Sequence, residues 1–337
     1  MLLRRLVRCI SPIPRTGIRM ASTVVGRSGR EYIQREVLVE RKDPRLNIFK
    51  AVSHDQPFVF KRVPETIYDM SLRLAADLSG SRRLRMHVDS NDEEKLLIYP
   101  YYQNTLLKLL QEDPEVSVAA RKEVLRQTAK AIQELHSKDW IHIDIKPDNI
   151  LVNWTCDEEG TKTITDVALG DFDVAWECPT NAVITGPHAV GNHMWRSPEA
   201  QTGRGMSKAS DVLSFGLVCI YTLGQEDAIL IHKDSEVVKK NMYSEQRVLL
   251  RHFTFFGPPN ERLFNWIDDE NWTKVLEKMN ELAEADLEER PIMGFEVWGH
   301  LLGSDAQNMI SGTTKIDLGA RSTIDEVLAH PWWQESV

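Results

Sequence analysis

The feature that most constrains this chain is a change of hydrophobic period near residue 100. Before it, apolar residues fall in short runs at 37–40, 46–52, 57–63, 84–88 and 96–99, a pattern that reads as strands. Between the third and fourth runs, 65–78 is a helix candidate opened by Pro64, whose missing N–H costs nothing at a first helical position. After Asn104 the period becomes helical: within 116–137, Val124, Leu125, Thr128, Ile132 and Leu135 share one face. Strands at 150–153 and 165–169 follow, joined by a polar turn at 155–163, and helical patterns then run to the end. The expectation is an α+β chain: five strands and one helix in a small β-rich part, then a larger helical part, with no internal repeat.

Composition and charge exclude several classes. With 42% apolar residues, nine Trp and 27% charged residues, the 337-residue chain can bury a sizeable core. Residues 1–30 carry seven Arg and no acid, which taken from the net −9 leaves −16 on residues 31–337. So acidic a body argues against nucleic acid as a partner, because such binding rests on Lys and Arg neutralising phosphates. No apolar run approaches the roughly 18 residues that span a bilayer, so no membrane partner is expected. Cys9, Cys156, Cys178 and Cys219 are too scattered for a zinc or redox pair and read as reduced intracellular thiols. The basic start, with Leu2, Leu3, Leu6, Val7 and Ile10 among its Arg residues and Pro12 and Pro14 behind, reads as a disordered or targeting segment.

One polar stretch concentrates the chemistry: His142-Ile143-Asp144-Ile145-Lys146-Pro147-Asp148-Asn149-Ile150-Leu151. It places a carboxylate, a cation and a neutral oxygen ligand within six residues. The stretch resembles the catalytic loop of protein kinases. That resemblance implies that Asp144 orients the incoming hydroxyl, Lys146 stands near the transferred phosphate and Asn149 binds Mg²⁺. Further stations follow in order. Asp171-Phe172-Asp173, 27 residues after Asp144, is similar to the Asp-Phe-Gly metal motif, with Asp171 as the second Mg²⁺ ligand. Ser197-Pro198-Glu199 stands where kinases have Ala-Pro-Glu, and the run from Ser210-Asp211 to Phe215-Gly216 resembles the start of their long central helix. Arg321 matches the Arg that pairs with that Glu. His142, Glu199, Asp211 and Arg321 are thus expected to be structural members of the site.

Upstream, Phe58-Val59-Phe60-Lys61 is similar to the Val-Ala-Ile-Lys strand, so Lys61 would hold the α and β phosphates of ATP. Residues 96–102 resemble the last small-lobe strand and hinge. Tyr99 would be the gatekeeper, and adenine would bond to the Pro100 carbonyl and the Tyr102 amide. Departures from the family accompany these matches. Residues 37–52 contain no glycine, only Glu40-Arg41-Lys42-Asp43-Pro44-Arg45 where a glycine loop would approach phosphate. Asp173 replaces the glycine of the metal motif, Ile143 the Arg before the catalytic Asp, and Asn192 a usual Thr. The acid that should pair with Lys61 is not obvious: Glu65 is too close along the chain, and Asp69 sits better on the helix but is one methylene short.

The resemblance implies a bilobal protein-kinase-like fold, with residues 1–34 outside it, a small lobe at about 35–100 and a larger helical lobe at about 101–335. The expected activity is serine/threonine phosphorylation of a protein substrate using ATP and Mg²⁺, in the cytoplasm or nucleus, or in mitochondria if the basic start is a targeting signal. The other reading is a pseudokinase, a nucleotide-binding or scaffolding module, motivated by the missing glycines and by the missing Glu partner of Lys61. Ile143 also carries an expectation of its own. It cannot receive a phosphate as Arg does there, so the segment 171–199 should be ordered by packing and backbone bonds.

Overall fold

In a computed structural model the described residues are 22–180, 182–186, 188–224 and 242–335. The start of the Arg-rich segment, with Cys9, lies outside them, and so does the targeting reading placed on it. Two compact units emerge.

The smaller unit takes in the residues up to Val63 together with Val88–Tyr99. Its strands are β1 (Thr23–Val25), β2 (Glu31–Val39), β3 (Ile48–Ser53), β4 (Gln56–Arg62), β5 (Asp89–Asn91) and β6 (Leu96–Pro100), in the order β1-β2-β3-β4-β6-β5. Strand alternation turns Phe49 and Ala51, Phe58 and Phe60, and Leu96 and Ile98 into one core. Tyr32 completes it, 1% exposed and edge-on to Phe58 at 5.1 Å, its hydroxyl donating to Asp89 at 3.1 Å. The sheet therefore begins before the expected boundary at residue 35. Val24 and Tyr32 are buried among mostly exposed neighbours, and their burial depends on β1 pairing with β2, where Val24 faces Tyr32.

The larger unit holds Pro64–His87 and everything from Pro100 on. It includes α1 (Glu65–Asp77), which the sequence had grouped with the strands. Leu74 and Leu78 share a core with Leu135, Trp140 and Leu169, and Trp140 Nε1 donates to Asp77 at 3.0 Å. The run 84–88, expected to be a strand, is not one: Arg85 N donates to Leu169 O at 2.7 Å and Leu169 N to Arg83 O at 2.8 Å. Its first hydrogen bonds are spent beside the end of a later strand; only Val88 N, donating to Ile98 O at 2.7 Å, turns toward β6, and β5 starts at Asp89.

After β7 (Asn104–Thr105) come α2 (Leu106–Glu112), capped by Thr105, and α3 (Val118–Ser137), capped by Ser117. Then follow β8 (Trp140–Ile141), β9 (Ile150–Cys156), β10 (Lys162–Leu169) and β11 (Trp176–Glu177). β10, β9 and β7 make a three-stranded sheet, while β8 pairs with β11. Downstream lie α4 (Pro198–Gln201), α5 (Lys208–Gly224), α6 (Ser244–Phe256), α7 (Glu261–Ile267), α8 (Glu270–Glu289), α9 (Gly299–Leu302), α10 (Ser304–Thr313) and α11 (Ile324–Ala329). The predicted face of α3 is buried, with Val124, Leu125, Ile132 and Leu135 packed in one cluster with Val212, Leu213 and Phe215 of α5. A second cluster joins α6, α7 and α8 through Leu249, Phe253, Leu263 and Leu276. Among the described residues no helix is long and apolar enough to cross a membrane.

Candidate functional site

The loop between β8 and β9 is fixed from below by one side chain. Asp211, in the first turn of α5 and 1% exposed, accepts from His142 N at 2.8 Å and Ile143 N at 2.9 Å, with His136 Nε2 at 3.0 Å. Asp211 thus binds the loop's backbone across 69 residues of sequence. His142 Nδ1 accepts from Asp144 N at 3.2 Å, which leaves the ring proton on Nε2 to be donated to Gly170 O at 3.0 Å. The same ring lies 4.8 Å from that of Phe172. One histidine therefore couples the loop to the segment carrying Asp171.

Asp144 is brought together with both of its expected neighbours. Its Oδ2 accepts from Lys146 Nζ at 2.6 Å and from Asn149 Nδ2 at 3.1 Å, and Oδ1 accepts from Asn192 N at 2.6 Å. Asn149 Nδ2 also donates to Asp144 O at 2.8 Å. With the amide NH₂ committed, the oxygen of Asn149 is its remaining donor atom for a cation. Gly170 N donates to Asn149 O at 2.9 Å, and Asp171 follows with φ 64°. Among the described residues no group of three or more His, Cys, Asp or Glu could hold a metal. One amide oxygen and one carboxylate suit Mg²⁺, which keeps few protein ligands and completes its shell with phosphate oxygens and water.

The segment after Asp171 is tied down mainly by backbone and packing. Cys178 N donates to Asp139 O at 2.6 Å, Ile184 pairs with Met206, and Arg196 Nε donates to Val190 O at 2.6 Å, with Gly191 O as a second acceptor. At Gly191, φ 80°, an added Cβ would stand 2.5 Å from Ile143 O, so only glycine fits. Ile143 is 6% exposed and packs with Ile141, Cys178, Ala200 and Met206.

Glu199 and Arg321 form the expected buried pair: both side chains are fully buried, with Arg321 NH1 on Oε1 at 2.8 Å and NH2 on Oε2 at 3.4 Å. Ser210 Oγ donates to the same Oε1 at 2.8 Å. Burial pushes the Glu199 carboxyl up, but the charge and hydrogen bonds of Arg321 outweigh it and hold the group below its ordinary value.

On the nucleotide side, Lys61 lies on β4 in the smaller unit, after the buried Phe60. The glycine-free stretch carries a short 3₁₀ turn, Pro44–Leu46, capped by Asp43. Pro100 and Tyr102 lie in the larger unit. The Tyr102 phenol is raised well above its ordinary value by burial and by its hydrogen-bond partner Asp166, with Arg85 opposing. The Pro100 carbonyl, expected to face adenine, is taken by a residue the sequence did not single out: Arg85 donates to it from Nε at 2.8 Å and NH2 at 2.7 Å. Neither Arg85 nor the Asn192 amide carried a signal, because one is an Arg within an apolar run and the other acts through its backbone.

Comparison with known proteins places this chain in a family. The protein kinase domain family matches residues 83–333. The chain belongs to that family, and its fold is the protein kinase fold. Among relatives, it is 34% identical over 97 residues to serine/threonine-protein kinase fray1 of Dictyostelium discoideum, covering 29% of this chain and 15% of that protein. It is 26% identical over 241 residues to human cyclin-dependent kinase-like 5, covering 71% of this chain and 22% of that protein. The chain thus spans less than a quarter of the length of either relative. A chain in the crystal structure of the yeast RNA Pol II CTD kinase CTDK-1 complex superposes with a TM-score of 0.68 at 17% identity, covering 98% of both chains.

Proposed function

We propose that this chain is a serine/threonine protein kinase that transfers the γ-phosphate of ATP to a protein hydroxyl. The observation that carries the proposal is the arrangement around Asp144, whose oxygens are oriented by Lys146, Asn149 and the Asn192 amide. Held this way, Asp144 can align an incoming hydroxyl and receive its proton, while Lys146 supplies positive charge where negative charge accumulates. Asn149 and Asp171 would hold Mg²⁺, which when bound draws charge from the phosphates. The serine/threonine assignment rests on Lys146 within Asp-Ile-Lys-Pro-Asp-Asn and on relatives named as serine/threonine kinases. A scaffolding role is favoured instead by the glycine-free stretch before β3 and by Arg85 on the Pro100 carbonyl.

The test is a thermal-shift titration with MgATP followed by radiolabelled transfer to a basic protein substrate. Asp144→Asn should fold normally and lose about 10²–10⁴-fold in transfer, the usual range for a positioned acid–base group. Transfer at the parental rate by that variant would refute the assignment, and stabilisation of the parent without transfer would favour the scaffold.

A further inference from the structure

Arg85 is placed to compete for the group that would recognise the base. Its backbone N–H is bound to Leu169 O at 2.7 Å, and its stem passes Gly170, where an added Cβ would lie 3.5 Å from both Arg85 Cβ and Cδ. From that anchor Nε and NH2 converge on one acceptor, Pro100 O, at 2.8 and 2.7 Å. A guanidinium is always charged, and hydrogen bonds from an ionised donor are roughly twice as strong as those between neutral groups. The exocyclic amine of adenine is a neutral donor. In a contest for this carbonyl, two charge-assisted bonds from an anchored side chain prevail over one neutral bond from a diffusing ligand.

We propose that Arg85 is a specificity-determining residue that keeps the Pro100 carbonyl for itself, so that the 6-amino group of a purine contributes almost nothing to nucleotide affinity. This rests on the kinase proposal and on Pro100 and Tyr102 as the base contacts. The site would then hold a nucleoside triphosphate through its phosphates and the stacking and shape of its base. Discrimination among purines at position 6 is lost. Removing the guanidinium while keeping the stem restores the acceptor.

The experiment is equilibrium binding of two probes, MgATP and the magnesium complex of purine riboside triphosphate, which lacks the 6-amino group. The full chain and Arg85→Met are compared. The parent should bind the two probes within about threefold, and Arg85→Met should prefer MgATP by about tenfold, or about 1.4 kcal/mol. The parent comparison needs no variant, so misfolding of Arg85→Met leaves it intact, and Arg85→Gln then serves as the replacement. A parent that prefers MgATP tenfold overturns the inference, as does a variant that gains no preference. If those results come with Asp144-dependent transfer, the kinase proposal stands and only the role of Arg85 falls. If neither protein binds either probe at millimolar concentration, both fall.

Discussion

Replacing Ile143 by alanine tests how the segment 171–199 is held. Ile143 is 6% exposed, and its neighbours in the apolar cluster include Cys178 and, partly buried, Ala182, Ile184 and Val190 from that segment. Isoleucine-to-alanine changes in cores cost about 2–5 kcal/mol, and partly buried neighbours that can settle inward put this site near the lower end. The backbone offsets some of that loss. Ile143 sits at φ 64°, where a β-branched residue is an outlier and left-handed non-glycine residues carry about 1–3 kcal/mol of strain. Granting alanine about 1 kcal/mol of relief, the net cost is about 1–2 kcal/mol, a fall in melting temperature of about 2–8 °C. Glycine usually costs about 0.5–1 kcal/mol more than alanine, but at this φ the strain relief should make Ile143→Gly no worse than Ile143→Ala. Thermal unfolding measures the stability, and limited proteolysis within the segment measures its order. Phosphatase treatment and a Thr180→Ala/Thr185→Ala variant should leave transfer unchanged. An unaltered melting temperature with unaltered proteolysis in Ile143→Ala would refute the packing account. So would a drop in transfer of more than about tenfold after dephosphorylation, equivalent to about 1.4 kcal/mol in the barrier.

Three other outcomes are expected. Glu199→Gln should destabilise the fold by about 3–5 kcal/mol, because Arg321 stays buried without its counter-charge, whereas Glu199→Met with Arg321→Met should cost less; chemical denaturation of both variants decides it. His252 is fully buried, and that burial lowers its pKa from 6.5 to about 4 against the pull of its bond to Arg196 O. The unfolded ring therefore takes a proton first as pH falls below 6.5. The contribution of His252 should fall by about 3 kcal/mol between there and about pH 4 and then level off, and His252→Gln should flatten that part of the slope in a pH series of melts. Residues 1–30 fused to a fluorescent reporter should collect in mitochondria if the basic start is a targeting signal, and a diffuse signal ends that idea.

Much of the site was legible because its chemistry is local. Asp144, Lys146 and Asn149 lie within six residues, so their meeting needs only a turn, and the short 3₁₀ helix Pro147–Asn149 provides it. Glu199 and Arg321, 122 residues apart, could be paired only through the resemblance, since nothing along the chain states their distance. The five expected strand runs failed at 84–88, where apolar alternation is real but Arg85 bonds to Leu169 and only Val88, through its N–H to Ile98 O, reaches the larger sheet.

By itself the sequence determined the α+β class, the helical face of α3 and the residue types of the site, since hydrophobic period and motif spacing are properties of the chain. The tertiary structure decided that Tyr32 belongs to the core, that α1 packs with the larger unit, and that Asp211 supports the loop holding Asp144. It also decided that Arg85 meets the Pro100 carbonyl. These are matters of backbone groups and long-range partners. A backbone N–H or C=O is the same at every residue, and which one a side chain reaches is fixed only when the chain has folded.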